Sequence, residues 1–248
     1  MEKDNKVVII TGASGGVGIA LAQALSESGY NLALQYYKHP IPHTIKLNPA
    51  SIMMSYRVNL ESDVEIKNFL TKCIKDFGKI DVLINNAGVY LKAAWHHPNS
   101  WMDVWNKTIN INLKAAALLS SLCFLEFKKR GSGIILNVSS RAGQRGDDIE
   151  YMAYAASKSG MYGLTKTMAR AGAKHNIYCY SISPGWINTA MARQKIEIDG
   201  LQSVIDEQEI PAIMEVEDMI PMIQLLISGQ AAYATGNNFN INGGSYIV

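Results

Sequence analysis

Seven short runs rich in β-branched and apolar residues recur along the chain, and most of the gaps between them carry apolar residues at helical spacing. The runs are Lys6–Thr11, Asn31–Tyr36, Ile52–Val58, Val82–Ala87, Ile134–Ser139, Ile177–Ser183 and Phe239–Asn242. They are nearly continuous in apolar character, as strands covered on both faces must be. Between them Ile66, Phe69, Leu70, Cys73, Ile74 and Phe77 hold one helical stripe, and Met219, Ile220, Ile223 and Ile227 hold another. Alternating strands and helices with right-handed crossovers predict an α/β fold: a doubly wound parallel sheet with helices on both faces. No repeat, low-complexity tract or linker-like shift interrupts the pattern, so residues 1–248 read as one domain. The second crossover differs. Pro40, Pro42 and Pro49 lie between Tyr36 and Ile52, and they predict a loop or about one helical turn there.

Composition narrows the function classes. Hydrophobic residues make up 48% and charged residues 18%, a globular profile. With 23 basic and 21 acidic residues the formal charge is only +2, which gives no reason to expect a nucleic-acid partner. Cys73, Cys123 and Cys179 are scattered and form no CxxC pair, so they read as buried thiols and not as a disulfide framework or metal site. The apolar Val7–Ile10 run is too short for a signal peptide, and Ala115–Phe127, with its serines and a glutamate, falls short of a membrane span. The expectation is a cytoplasmic protein with no membrane partner and no metal.

Thr11-Gly12-Ala13-Ser14-Gly15-Gly16-Val17-Gly18 follows the first run and opens a helix containing Ile19, Leu21, Ala22 and Leu25. Glycines there allow a tight turn and a close backbone approach to a pyrophosphate, with free helix N–H groups and the positive dipole end presented to it. The spacing is not G-x-G-x-x-G, but its place at the first strand–helix junction points to a dinucleotide site. Further on, Tyr154 and Lys158 stand four apart, hence on one face of a helix. A phenol titrates near 10 when free. A neighbouring ammonium is expected to lower that value and make Tyr154 a usable acid.

With these features in place, nearly the whole chain resembles the short-chain dehydrogenase/reductase family. Thr11–Gly18 matches its T-G-x-x-x-G-x-G turn, Asn85-Asn86-Ala87-Gly88 its N-N-A-G, and Tyr154-Ala-Ala-Ser-Lys158 its Y-x-x-x-K. Asn112 falls at the family's helix asparagine, and Ser140 closes the fifth strand. Pro184-Gly185 followed by Thr189, and Asn242-Gly243-Gly244, match later segments. The resemblance implies a single Rossmann-type domain with about seven strands in the order 3-2-1-4-5-6-7. It implies a catalytic set of Asn112, Ser140, Tyr154 and Lys158, with Lys158 also holding the nicotinamide ribose and joining a proton relay through Asn112. Ser140 would polarise the substrate oxygen in the manner of an oxyanion hole. The implied cofactor contacts are Gly12, Ser14, Gly15, Gly16, Val17, Gly18, Lys38, Asn59, Leu60, Asn86, Ala87, Gly88, Tyr154, Lys158, Pro184, Gly185, Ile187 and Thr189.

Three choices stay open at this level. Ser139 adjoins Ser140, and Ser140 is preferred because Arg-Ala-Gly after it suits the family's post-serine segment. Tyr151, with six residues between it and Lys158, resembles the spacing of the enoyl reductase branch, although that branch has a different glycine turn. As to cofactor, the second strand ends Gln35-Tyr36-Tyr37-Lys38-His39 without the carboxylate that usually holds an unphosphorylated ribose. That favours NADP(H) over NAD(H), with Lys38 as the phosphate's partner. Against this, Gly15 replaces the arginine that many NADP-type turns carry, and Asn59 replaces an aspartate that binds adenine.

The resemblance implies a small carbonyl or alcohol substrate, and the compact length is similar to the 3-oxoacyl-acyl-carrier-protein reductases. Lys128-Lys129-Arg130 and Arg170 fall where such enzymes meet an acyl carrier protein, although basic helix ends are common for dipole reasons. Reduction of a 3-oxoacyl thioester, oxidation of an alcohol or sugar, and a non-catalytic nucleotide-binding regulator are the readings to separate; an intact four-residue set argues against the last. Pocket candidates are Tyr90–His97, Arg141–Tyr151 and 186–194, with Trp95, Tyr151, Trp186 and Met191 as an aromatic, apolar lining. His96 and His97 read as exposed loop residues. Helices beginning near Trp101 and Tyr151 carry apolar residues over more than one face, which, with the family's habit of pairing these helices, predicts a homotetramer.

Overall fold

The structure, a computed structural model, describes residues 5–247; the side chains at 194, 195 and 199 and the first four residues of the N-terminus lie outside that description. Seven strands, β1 (Val7–Ile10), β2 (Asn31–Tyr36), β3 (Met53–Arg57), β4 (Val82–Asn85), β5 (Gly133–Val138), β6 (Ile177–Pro184) and β7 (Asn238–Ile241), form one parallel sheet. Their order is 3-2-1-4-5-6-7, as the resemblance implies. In β1, Val8 faces Leu32 of β2 on one side and Val82 of β4 on the other.

The continuous apolar runs are explained by where alternate residues go. Val8 and Ile10 pack with Leu21 and Leu25 of α1 (Gly16–Glu27), while Val7 and Ile9 pack with Ile66 and Phe69 of α2 (Asp63–Phe77) on the opposite face. Both neighbours of each β1 residue therefore enter a core, and each buried Leu, Ile or Phe contributes about 1.5–3 kcal/mol. The segment between β2 and β3 has no helix. It is pinned to α1 instead, with Lys46 N–H donating to Gln23 Oε1 at 2.7 Å, Asn48 N–H to Ser26 Oγ at 3.1 Å, and Ile45 buried.

Helices α3 (Pro98–Ile109) and α4 (Ala115–Arg130) run into one another through a π-helical turn at Asn110–Lys114. The apolar stretch read as too short for a membrane span thus belongs to a 33-residue helix that is long and apolar enough by composition. Ala115, Leu119, Cys123 and Phe127 on one side of it are buried against the sheet, while Met102 and Leu125 are exposed. The three cysteines are buried and free; burial pushes the Cys179 thiol up to about 12. Among the described residues no His, Cys, Asp and Glu cluster could hold a metal.

From β1 the chain winds one way to β2 and β3, then crosses to β4 on the other side of β1. A crevice must open above the carboxyl ends of strands at such a reversal. The site lies there.

Candidate active site

The glycine turn is held by steric and hydrogen-bonding constraints that reach across this crevice. Gly12 has φ +65°, and a Cβ there would lie 2.7 Å from Ala87 Cα. A Cβ on Gly18 would lie 2.4 Å from Gly12 O and 2.6 Å from Ala13 Cα. Asn86 Nδ2 donates to Thr11 O at 2.9 Å and Gly12 O at 3.2 Å, while Thr11 Oγ1 accepts the Asn86 and Ala87 N–H groups. The N-N-A-G segment therefore clamps the turn. Gln35, which sequence reasoning missed, accepts the Gly12 N–H at 2.8 Å and donates to Val58 O at 2.8 Å. No side chain caps α1, so its N–H groups are left for a ligand.

A cleft of about 560 Å³ follows the strand ends. Every residue predicted to contact cofactor borders it: Gly12 and Ser14–Gly18 after β1, Lys38 after β2, Asn59 and Leu60 after β3, Asn86–Gly88 after β4, and Pro184, Gly185, Ile187 and Thr189 after β6. Ser140, Tyr154 and Lys158 border it too. The glycines and backbone amides suit a dinucleotide's pyrophosphate, so the site fits the group that the turn implies.

Tyr154 and Lys158 sit on α6 (Met152–Gly172), the helix after the short α5 (Ala142–Arg145). Lys158 is buried, donates to Val138 O at 2.8 Å, and lies 5.7 Å from the Tyr154 ring centroid. The two serines are distinguished: Ser139 Oγ is buried and donates to Lys158 O at 2.8 Å, whereas Ser140 is partly open and hydrogen-bonds Tyr154. Tyr162, unforeseen from sequence, donates to Ser140 O at 2.5 Å and pairs with Ser183 Oγ at 2.8 Å, which fixes the Ser140 backbone. Tyr151 stacks behind Tyr90 and does not border the cleft.

One expectation needs correction. The Tyr154 phenol is not acidified. Burial pushes it up to about 12 against the opposing pull of the Ser140 hydrogen bond, with Asp147 adding to the rise. Asn112 is fully buried and does not border the cleft; its Oδ1 accepts the Val89 N–H at 2.8 Å, and its Nδ2 donates to Val89 O and Ser157 Oγ. Its side chain thus ties the segment after β4 to the π turn and α6.

Burial lowers Lys158 to about 8 from the ordinary 10.5. Tyr154 keeps its proton throughout this range, so the alkaline limb of kcat/KM is expected near pH 8, where the ammonium is lost. Stability should move oppositely. Between about 8 and 10.5 the folded chain has shed a proton that the unfolded chain retains, so this group's cost to folding is relieved as pH rises. Lys158→Arg, which cannot titrate there, should remove the limb; a limb that persists at the same pH contradicts the assignment.

The remaining wall is aromatic and charged. Tyr90 stacks on Tyr151 with centroids 3.9 Å apart and meets Tyr154 edge-on at 4.8 Å and Trp186 at 6.2 Å. Arg141 covers the Trp186 ring and binds Glu207 Oε2 at 2.5 Å, and that oxygen also takes Arg145 at 2.6 Å and Trp186 Nε1 at 3.3 Å. Trp186 and Met191 border the cleft as expected, but Trp95 is 52% exposed and does not. His96 and His97 are exposed. Asp147 falls within the Arg141–Tyr151 segment expected to line the pocket and borders the cleft; Glu207 was not foreseen, being 66 residues beyond Arg141 with no local pattern linking them.

Residues 6–199 match the short chain dehydrogenase family, and the chain belongs to it. It is 30% identical over 247 residues to the 3-oxoacyl-[acyl-carrier-protein] reductase of Staphylococcus epidermidis, covering 98% of this chain and 100% of that one. Among solved structures it is similar to the NADPH-dependent 3-quinuclidinone reductase of Rhodotorula rubra, at TM-score 0.85 and 25% identity over 98% of this chain and 92% of that one. An NAD+-bound xylitol dehydrogenase superposes at TM-score 0.88 with 26% identity, over 98% and 100% of the two chains. The chain is thus an oxidoreductase of the short-chain type.

Proposed function

We propose that this oxidoreductase reduces the carbonyl of a small ketone with NADPH, Tyr154 supplying the proton. The observation that carries the reading is that Tyr154, Ser140 and Lys158 share one cleft with the clamped glycine turn. A reduced nicotinamide bound in that cleft supplies the hydride. Tyr154, protonated at neutral pH, gives its hydroxyl proton to the carbonyl oxygen, and Ser140 donates a second hydrogen bond to it. The Lys158 ammonium stabilises the charge left on the phenol. A Cβ on Gly88 would come within 3.4 Å of Lys158 Nζ, so glycine there keeps the approach to the ammonium open.

NADPH is favoured because Lys38 borders the cleft just past β2 and Arg57 lies 5.8 Å over the adjoining Tyr37 ring. Glu61 borders the same end and opposes a phosphate. With two cations against one acid, a dissociation constant about tenfold lower for NADPH than for NADH is expected from fluorescence titration; a tighter NADH complex contradicts this preference.

A second, finer reading concerns the substrate. The identity with a 3-oxoacyl-[acyl-carrier-protein] reductase over the whole chain supports a 3-oxoacyl thioester. Lys129 and Arg130, at the end predicted to meet a carrier, pair with Glu126 and Asp81 within the chain, which weakens the carrier part of that reading. Loss of NADPH absorbance with acetoacetyl-CoA tests it, and a background rate would remove this substrate class.

A further inference from the structure

Asp147 is a carboxylate in the cleft wall that the chemistry above does not use. It lies in the loop between Ser140 and Tyr154 and borders the cleft with both. Its Oδ1 accepts the Asp148 N–H at 2.9 Å and a long bond from the Tyr90 hydroxyl at 3.4 Å. Among the described residues no donor is bonded to Oδ2. The nearby cations are committed elsewhere, since Arg141 and Arg145 both grip Glu207. Arg145 still draws the Asp147 pKa down, but burial outweighs it and holds the carboxyl above its ordinary range. Tyr90 touches both Asp147 and, edge-on, Tyr154, so carboxylate and proton donor are one tyrosine ring apart.

Asp147 is half-buried and Oδ2 is open to the cleft, so a cationic donor bound there gains a charge-assisted hydrogen bond in place of water. An apolar acyl chain laid along this wall would bury it further and leave it unpaired. A protonated amine would form a charge-assisted hydrogen bond and cancel the charge, while tyrosine rings would flank the intervening methylenes. We propose that Asp147 selects ketones carrying a protonated amine about one ring's width from the carbonyl, the ammonium meeting Oδ2 while the carbonyl oxygen meets Tyr154 and Ser140. This rests on the ketone-reductase reading and narrows it.

The test compares γ-dimethylaminopentanone with its uncharged carbon isostere, methylheptanone, at neutral pH and saturating NADPH. Wild-type kcat/KM should favour the amine by about tenfold or more, and Asp147→Asn should erase most of that preference, chiefly through KM. Asp147→Glu should restore part of it. Should Asp147→Asn fail to fold, wild-type inhibition makes the same comparison: dimethylaminopentanol should compete with a Ki about tenfold below that of methylheptanol. Equal use of the two ketones, a preference for acetoacetyl-CoA over the amine, or a preference that survives Asp147→Asn would overturn the assignment and leave ketone reduction standing. No NADPH or NADH oxidation with any of these carbonyl compounds would overturn both.

Discussion

Tyr154→Phe is expected to lower kcat for ketone reduction by about a thousandfold, within the range for loss of a positioned general acid. The ring would keep its edge-on contact with Tyr90, so the fold and the binding of reduced nicotinamide should change little. Only the hydroxyl is lost, and with it the hydrogen bond to Ser140 and the proton that the carbonyl oxygen needs. Tyr151→Phe is the informative partner. It retains the stacking on Tyr90, and its hydroxyl lies outside the cleft wall, so most of the wild-type rate should remain. Steady-state rates of the two variants decide between them. If Tyr151→Phe were the inactive one, the donor would be misassigned and the longer tyrosine–lysine spacing would be the functional one.

Gly18→Ala should have a comparably large effect by a different route. The new methyl would lie 2.4 Å from Gly12 O and 2.6 Å from Ala13 Cα, both backbone atoms of a turn already clamped by Asn86. Neither can give way without opening the turn. Overpacking of this kind costs about 1–3 kcal/mol, and here the strain falls on the amides that face a pyrophosphate. NADPH affinity should fall about a hundredfold or more, with a lower melting temperature. Gly163→Ala is the control: on α6 its methyl would meet nothing within 4 Å, so binding should persist and stability rise by up to about 1 kcal/mol. Normal binding by Gly18→Ala would show that the turn is not the cofactor cradle.

The sheet was legible because both faces of its central strands are buried, which makes apolar runs such as Val7–Ile10 continuous and distinguishes them from the striped helices. The missing helix after β2 was legible from Pro40, Pro42 and Pro49, since that ring chemistry acts locally. Motif positions translated into place: the glycine turn, Ser140, Tyr154 and Lys158 meet in one cleft. What failed to translate depends on the third dimension. The direction of the Tyr154 shift is set by burial among Tyr90, Ser140 and Asp147, and spacing to Lys158 says nothing of that. Asn112 shows a related limit: its position was legible, but the ties of its side chain to Val89 and Ser157 were not. Trp95 looked like lining by composition and is exposed, whereas Glu207, an ordinary loop acid in sequence, supports the wall by binding Arg141 across 66 residues.

The central claim is that hydride passes directly to a carbonyl carbon in the cleft that Tyr154 borders. The most direct measurement follows an isotope: the protein is incubated with a ketone and NADPH dideuterated at the transferable ring carbon, and the alcohol is analysed by mass spectrometry. One deuterium per product at the carbinol carbon is the predicted result, with none formed by Tyr154→Phe on the same timescale. Product lacking the label, or full labelling with the phenylalanine variant at the wild-type rate, would contradict it.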